Sequence, residues 1–258
     1  MTDFADFHNT KYTPITALNE NIKLILATGM LRSGSTWLFN VCRLLLEPRP
    51  NTYSCWIDDY DEILASKAQT VLVKLHAPDV ALAERADVIV TSFRDLRDVA
   101  ASVLDMGWFS KTAELTKCAM SARYCDEFWS DHANLRIGYH EIIKDPKLVT
   151  HILANTLGVK AEQSSIENVL VDINNMKPNI ESGYLHDKTN LLHIKHKLDG
   201  RPGSWPERLS LEASQIIEEE NWRWLSDNGY EIQSATGYSE ATTFDPAVIH
   251  AGFPSVPV

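Results

Sequence analysis

The 258-residue sequence predicts an α/β fold of three layers, with a central, mainly parallel sheet, helices on both faces and an irregular C-terminal cap. Three observations predict it. Short β-branched runs alternate with segments of helical spacing from Ile22 to about residue 160. The first run enters Gly29-Met30-Leu31-Arg32-Ser33-Gly34-Ser35-Thr36, a glycine loop of P-loop type that opens a helix. No internal repeat or linker divides the chain. One domain is therefore expected over 1–258, with a core over about 20–160, a helical cap region over about 161–230 and a tail over 231–258.

The elements follow in order. Ile22 to Ala27 is an apolar run of strand type, and the segment after Gly34 carries apolar residues at helical spacing through Leu46. Asn51 to Glu62 (NTYSCWIDDYDE) is polar and acidic and reads as a solvated loop. Thr70 to His76 is a second core strand, and Ala77-Pro78-Asp79 starts a short helix, with proline near its first turn. Asp87 to Phe93 is a third strand, followed by helices over Asp95 to Leu104 and Thr112 to Asp131. Leu135 to Tyr139 is a fourth strand, and Asp145-Pro146 opens another helix. Lys177 to Pro206 is rich in Asn, Gly, His, Lys and Pro and lacks periodicity, as lids do. A last helix runs from Leu211 to Leu225.

The glycine loop has the form of a phosphate cradle but departs from the nucleoside triphosphatase version. Ser35 occupies the position where a lysine would hold β/γ-phosphates, and Arg32 is the loop's one basic residue. Two further strand ends carry polar groups. Arg94 ends the third strand, and Ser102 follows two helical turns later, so both can face one point above the sheet edge. An arginine with a hydroxyl suits a second phosphate. In Val73-Lys74-Leu75-His76, strand alternation puts Lys74 and His76 on one side.

Taken together, these segments resemble the sulfotransferase family, which uses 3′-phosphoadenosine 5′-phosphosulfate (PAPS) and releases 3′-phosphoadenosine 5′-phosphate (PAP). Arg32-Ser33-Gly34-Ser35-Thr36-Trp37 is similar to that family's 5′-phosphosulfate loop, and Arg94 through Ser102 to its 3′-phosphate motif. Lys74-Leu75-His76 resembles the Lys-x-His segment whose histidine is the general base. Tyr139-His140-Glu141 resembles the segment whose tyrosine lies near the adenine, and Gly200-Arg201-Pro202-Gly203-Ser204-Trp205 the loop that closes over the cofactor. The resemblance runs in order from about Ile22 to Leu225. One departure is clear: Leu198-Asp199 stands where the family has Arg-Lys, so Arg201, Lys197 or Lys195 must substitute or the grip on the 3′-phosphate weakens.

The resemblance implies in-line transfer of a sulfuryl group to a hydroxyl or amine of a small acceptor. His76 would be the base, with Lys74 and Arg32 stabilising the developing charge. Arg32, Ser33, Gly34, Ser35, Thr36, Trp37, Arg94, Ser102, Tyr139, Gly200 and Arg201 would hold PAPS, with no metal required. A carboxylate from Asp58, Asp59 or Glu62 stays open as a rival base, because some branches of the family use one. Trp56, Asp58, Asp59, Trp108 and Tyr184, with Tyr60 and Phe109 nearby, would line the acceptor site. Aromatic walls with carboxylates suit a small cationic or amphipathic molecule.

Bulk properties exclude several classes. With 24 basic and 35 acidic residues the net charge is −11, which argues against nucleic acid or heparin-like polyanions as partners. Cys42, Cys55, Cys118 and Cys125 form no CxxC pair, which argues against zinc and suits reduced thiols in a cytoplasm. The spacing of His186, His193 and His196 is too weak to predict a metal site. No signal peptide or membrane span is expected, so the reading is cytoplasmic, with a homodimer left open. The alternatives are a P-loop small-molecule kinase and a non-catalytic nucleotide-binding module.

Overall fold

A computed structural model of the chain describes residues 18–59, 67–180, 186–193 and 200–233. Within them, β1 (Lys23–Ala27), β2 (Thr52–Trp56), β3 (Thr70–Lys74), β4 (Val88–Phe93) and β5 (Leu135–Gly138) form one sheet. Every pairing is parallel, and the order is β2-β3-β1-β4-β5. From β1 the chain goes to the edge strand β2, returns to place β3 between them, then crosses to the other side with β4 and β5. The reversal of strand order at β1 opens a crevice beyond the carboxyl ends of the strands, where ligands bind in open α/β sheets.

The helices are α1 (Ser35–Leu46), α2 (Val80–Arg85), α3 (Leu96–Met106), α4 (Thr112–His132), α5 (Tyr139–Lys144), α6 (Pro146–Leu157), α7 (Gln163–Asn175) and α8 (Leu211–Asp227). Strand alternation sorts the core into two layers. Leu24, Leu26, Val71, Val73 and Ile89 pack on α3, α4 and α8 through Val99, Ala122, Trp129 and Ile217. Ile25, Ala27, Leu72 and Val90 face the other way, onto Leu38 and Val41 of α1, Leu153 of α6 and Ile166 of α7. Both faces of the sheet are covered, as a parallel sheet requires, and β4 is buried throughout.

Local chemistry sets the boundaries. Asp79 caps α2 by accepting from the Leu82 amide, and Asp145 caps α6 by accepting from the Leu148 amide just ahead of Pro146. Gly107 ends α3 in the left-handed conformation.

The structure corrects one element. The segment from Asn51 read as a solvated loop, but Thr52–Trp56 is the edge strand β2, paired with β3 from Thr52–Thr70 to Trp56–Lys74. Only Cys55 of the five is buried. An edge strand exposed on one side needs no apolar run, so Thr-Tyr-Ser-Cys-Trp carried little hydrophobic signal. The acidic Ile57–Asp59 that follows is a single 3-10 turn. Among the described residues, no helix is long and apolar enough to cross a membrane.

Candidate active site

All five strands deliver a polar or aromatic group to the same crevice. The register aligns Trp56 of β2 with Lys74 of β3, and Lys74 with Ala27 of β1, just before the glycine loop. Arg94 follows the end of β4, and Tyr139 follows the end of β5. For β1, β3 and β4 the sequence sets these positions, because those strands terminate where their apolar runs end.

The glycine loop is built around two backbone requirements. Gly29 has φ 127°, and a Cβ there would lie 2.5 Å from the Ser92 carbonyl oxygen. Gly34 has φ 85°, and its Cβ would come within 3.0 Å of the Tyr139 ring. Neither position tolerates a side chain without displacing its neighbour. The Ser33 hydroxyl is turned inward, against the Met30 carbonyl and the Ser92 hydroxyl. It therefore shapes the loop and faces away from any ligand. Gly34 is also the N-cap of α1, and no side chain caps that end. The first-turn amides of α1 and the positive end of its dipole are left for an external anion.

Cations surround that helix end. The Lys74 ammonium donates to Thr36 Oγ1 at 2.5 Å and lies 5.5 Å from the centre of the Trp56 ring. Lys74 is 4% exposed, and burial together with Arg32 lowers its pKa from 10.5 to about 7. Arg32 donates through Nε to Ser102 Oγ at 2.9 Å, and burial and Arg94 lower its pKa to about 10. Arg94 is buried and stacks over the Tyr139 ring at 4.2 Å. Its guanidinium donates to the Arg32 carbonyl at 3.3 Å and the Arg201 carbonyl at 3.4 Å, and lies 3.6 Å from Asp98. Its Nε is buried without a hydrogen-bond partner. Depressed cations and an orphaned donor are what a polyanion site looks like without its anion.

His76 is held at three points. Its Nδ1 lies 2.6 Å from the Gly29 carbonyl, which can only accept, so Nδ1 carries the proton and Nε2 the lone pair. Its own carbonyl accepts from Trp129 Nε1 at 2.9 Å and from Cys125 Sγ at 3.0 Å. Burial, then Lys74, push its pKa down to about 3, so the ring is neutral at physiological pH.

The closing loop lies against α3. Asp98 accepts from the Gly203 amide at 2.7 Å and the Trp205 amide at 3.0 Å, and the Ser204 hydroxyl donates to the Arg201 carbonyl. Arg94, Asp98, Tyr139, Pro202 and Gly203 help line a cavity of about 350 Å³. The Arg201 guanidinium turns outward and pairs with Glu207 at 2.7 Å; only its carbonyl reaches Arg94.

On the β2 side, Trp56 lies 5.5 Å from the His76 ring and 6.5 Å from His186, while Trp108 lies 5.9 Å from the Arg32 guanidinium and 6.4 Å from His193. Burial and the nearby Arg32 and Lys74 lower the His193 pKa to about 4. Asp58 is exposed and accepts from Trp56 Nε1 at 3.0 Å. Asp59 is half-buried in the same turn.

No family model matches the chain, and no curated protein matches it in sequence. Solved structures do. The mouse sulfotransferase SULT7A1, crystallised with PAP, is similar at TM-score 0.62 and 15% identity, over 82% of this chain and 87% of its own. This is the sulfotransferase fold. Retinol dehydratase, in complex with androsterone and the inactive cofactor PAP, is similar at TM-score 0.54 and 15% identity, over 88% and 85% of the two chains. The same enzyme with retinol and PAP gives TM-score 0.50 and 14% identity over 83% of each.

The fold brings Arg32, Ser33, Gly34, Ser35, Thr36, Lys74, His76, Arg94, Ser102 and Tyr139 around one crevice, with Gly200 and Arg201 beginning the loop that faces Arg94. Trp37 is half-buried against the core layer that contains α1. Trp56 and Trp108 flank the histidines. Tyr60, Glu62, Tyr184, Lys195, His196, Lys197, Leu198 and Asp199 lie outside the described residues. Sequence reasoning missed Cys125 and Trp129, which hold the His76 carbonyl, and Arg208, whose guanidinium pairs with Asp105 and lies 3.9 Å from Asp98. The first two sit four apart on α4, a spacing that shares a helix face, and that was their only signal. Arg208 had none, because its role comes from the turn that precedes it.

Proposed function

We propose that this protein is a sulfotransferase that moves a sulfuryl group from PAPS to a hydroxyl or amine of a small acceptor. One observation carries the proposal. The glycine loop that would grip the donor also fixes the tautomer of the histidine that would deprotonate the acceptor, through the Gly29 carbonyl. Grip and base are thus registered to each other by one hydrogen bond.

The residues present fit the donor. The uncapped end of α1 and the Lys74 ammonium suit its 5′-phosphosulfate, and Arg94, with its orphaned Nε, and Ser102 suit its 3′-phosphate. When bound, PAPS supplies an activated sulfuryl group whose leaving group is a phosphate. Lys74 and the amides of residues 34–36 stabilise negative charge developing on that phosphate. His76 Nε2 takes the proton of the attacking hydroxyl or amine as its oxygen or nitrogen bonds to sulfur. Burial is the larger cause of the depressed His76 pKa, and Lys74 and Arg32 add to it, so an anionic donor that neutralises those cations offsets their share of the depression. Thr36 Oγ1 already accepts from Lys74, which puts a protein cation where a kinase of this loop type places its metal ion.

The acceptor enters beside Trp56 and Trp108, with Asp58 and Asp59 at the rim. Aromatic faces and rim carboxylates favour a small amphipathic or cationic molecule.

The test is calorimetric titration with PAP, AMP and ATP, in wild type and in Arg94→Ala. Selective PAP binding that collapses in the variant is the expected result. Magnesium-dependent preference for ATP would move the kinase reading to the front. On an acceptor found by screening, His76→Ala should lower kcat by ~10²–10⁴ while PAP affinity holds. Unchanged kcat would return the base to Asp58, Asp59 or Glu62.

A further inference from the structure

Ser102 stands at the centre of a charge cluster that neither the glycine loop nor β4 completes. Arg32 reaches Ser102 from the loop, and Arg94 reaches Asp98 from the end of β4. A third arginine arrives from the cap. Arg208 follows the 3-10 turn Trp205–Glu207, and its backbone amide donates to the Trp205 carbonyl. Its Nη1 pairs with Asp105 at 2.5 Å, its Nη2 donates to the Ser204 hydroxyl, and the same guanidinium lies 3.9 Å from Asp98. Asp98, Ser102 and Asp105 fall at positions four and three apart on α3, so they form one stripe facing all three arginines. Asp105 is also within electrostatic reach of Arg32.

The two carboxylates of this stripe differ in kind. The Asp98 side chain is 1% exposed and is fixed by two amides of the closing loop. Asp105 is exposed at the last turn of α3, and Arg208 is its ion-pair partner. One carboxylate is therefore structural, and the other is a solvent-accessible counterion that can be exchanged. Among the described residues, with Asp105 in place three guanidinium charges face two carboxylates, leaving a single net positive charge. With Asp105 released to water, two remain, which matches a phosphate dianion.

We infer that Arg208 is the third cation of the phosphate site at Ser102, and that Asp105 holds it in reserve and yields it when the phosphate binds. The inference rests on the proposed donor, whose 3′-phosphate is the group in question. Arg208 is tied through Ser204 to the loop that Asp98 anchors. Its transfer from Asp105 to the ligand therefore links phosphate recognition to the position of that loop. The role expected of cations just before Gly200 falls instead to a residue just after the loop, because the turn at Trp205 folds the chain back over α3.

Titration calorimetry with PAP and with AMP, which lacks the 3′-phosphate, tests this. In Arg208→Gln, PAP affinity should fall ~10–100-fold, the range for one charged hydrogen bond, while AMP affinity changes less than about threefold. In Asp105→Asn, PAP should bind more tightly, with AMP again unmoved. Asp105→Asn keeps the test decisive if Arg208→Gln does not fold. Equal effects on PAP and AMP in either variant, or no effect, overturn the inference while leaving the donor proposal standing. A wild type that shows no preference for PAP over AMP overturns the donor proposal itself, and this inference with it.

Discussion

Two buried arginines three residues apart, Arg94 and Arg97, have opposite surroundings. Arg97 is fully answered. It holds Asp95 through two nitrogens at 2.8 and 3.0 Å, Glu218 at 2.8 Å and the Glu231 carbonyl at 2.9 Å, and stacks on Trp205 at 4.5 Å. Burial alone would lower its pKa, but Asp95 and Glu218 outweigh it, and the pKa rises. Arg94 has two long bonds to carbonyls, one longer ion pair and an orphaned Nε, beside an Arg32 and a Lys74 whose pKa values are depressed. On the Arg97 side the protein completes its own electrostatics and ties α8 to α3. On the Arg94 side the balance is incomplete, as the proposed 3′-phosphate site requires. Burial alone does not distinguish a structural arginine from a binding one; the completeness of its partners does.

Substitution by methionine should break the pair apart. Arg97→Met leaves Asp95 and Glu218 buried without their partner, and should cost about 3–5 kcal/mol of stability. Arg94→Met leaves Asp98 with its two loop amides and Arg208, and should cost less ligand-free stability than Arg97→Met while lowering PAP affinity ~10–100-fold. Denaturant melts of both variants, alongside PAP titration of Arg94→Met, measure the contrast. Equal stability losses would mean that Arg94 is structural as well.

The same comparison shows what the sequence could and could not reveal. The sheet, α1, α3, α4, α6 and α8 were legible because their apolar periods are those of buried strands and amphipathic helices. The placement of the glycine loop, of Arg94 with Ser102, and of Lys74 with His76 around one crevice was legible because strand ends fix their positions to within a residue. The edge strand β2 was not, since one exposed face removes the apolar run. Nor were the partners: nothing local says that Arg201 turns to Glu207, that Arg208 folds back to Asp105, or that Trp129 and Cys125 hold the His76 carbonyl. Those depend on where separate elements meet.

A pH series sharpens the comparison at a smaller scale. Lys74 has a folded pKa of about 7 against an ordinary 10.5. Between those values the unfolded chain binds more protons, so the stability of the ligand-free protein rises with pH. Cys42 and Cys118 act in the opposite sense, because burial raises them to about 12 from 9.0, so stability falls again as the unfolded thiols ionise. Ligand-free Tm should therefore climb from pH 7 to a maximum near 9. Saturating PAP should flatten the climb by holding Lys74 charged, and Lys74→Met should abolish it. A climb that survives in Lys74→Met would place its origin elsewhere.

The smallest effect belongs to the proposed acceptor rim, where charge and position can be separated. Asp58 accepts from the Trp56 indole, so its carboxylate both orients an aromatic wall and presents a negative charge to solvent. Asn at this position can still accept that hydrogen bond through its amide oxygen, and loses only the charge. Asp58→Asn should raise KM for a cationic acceptor by up to about fivefold, the scale of an exposed ion pair, and leave a neutral acceptor of the same shape unchanged. Trp56→Phe, which removes the indole donor and part of the wall, should raise KM for both. If Asp58→Asn affects both acceptors alike, Asp58 acts only through Trp56, and the acceptor is chosen by shape against the tryptophans rather than by its charge.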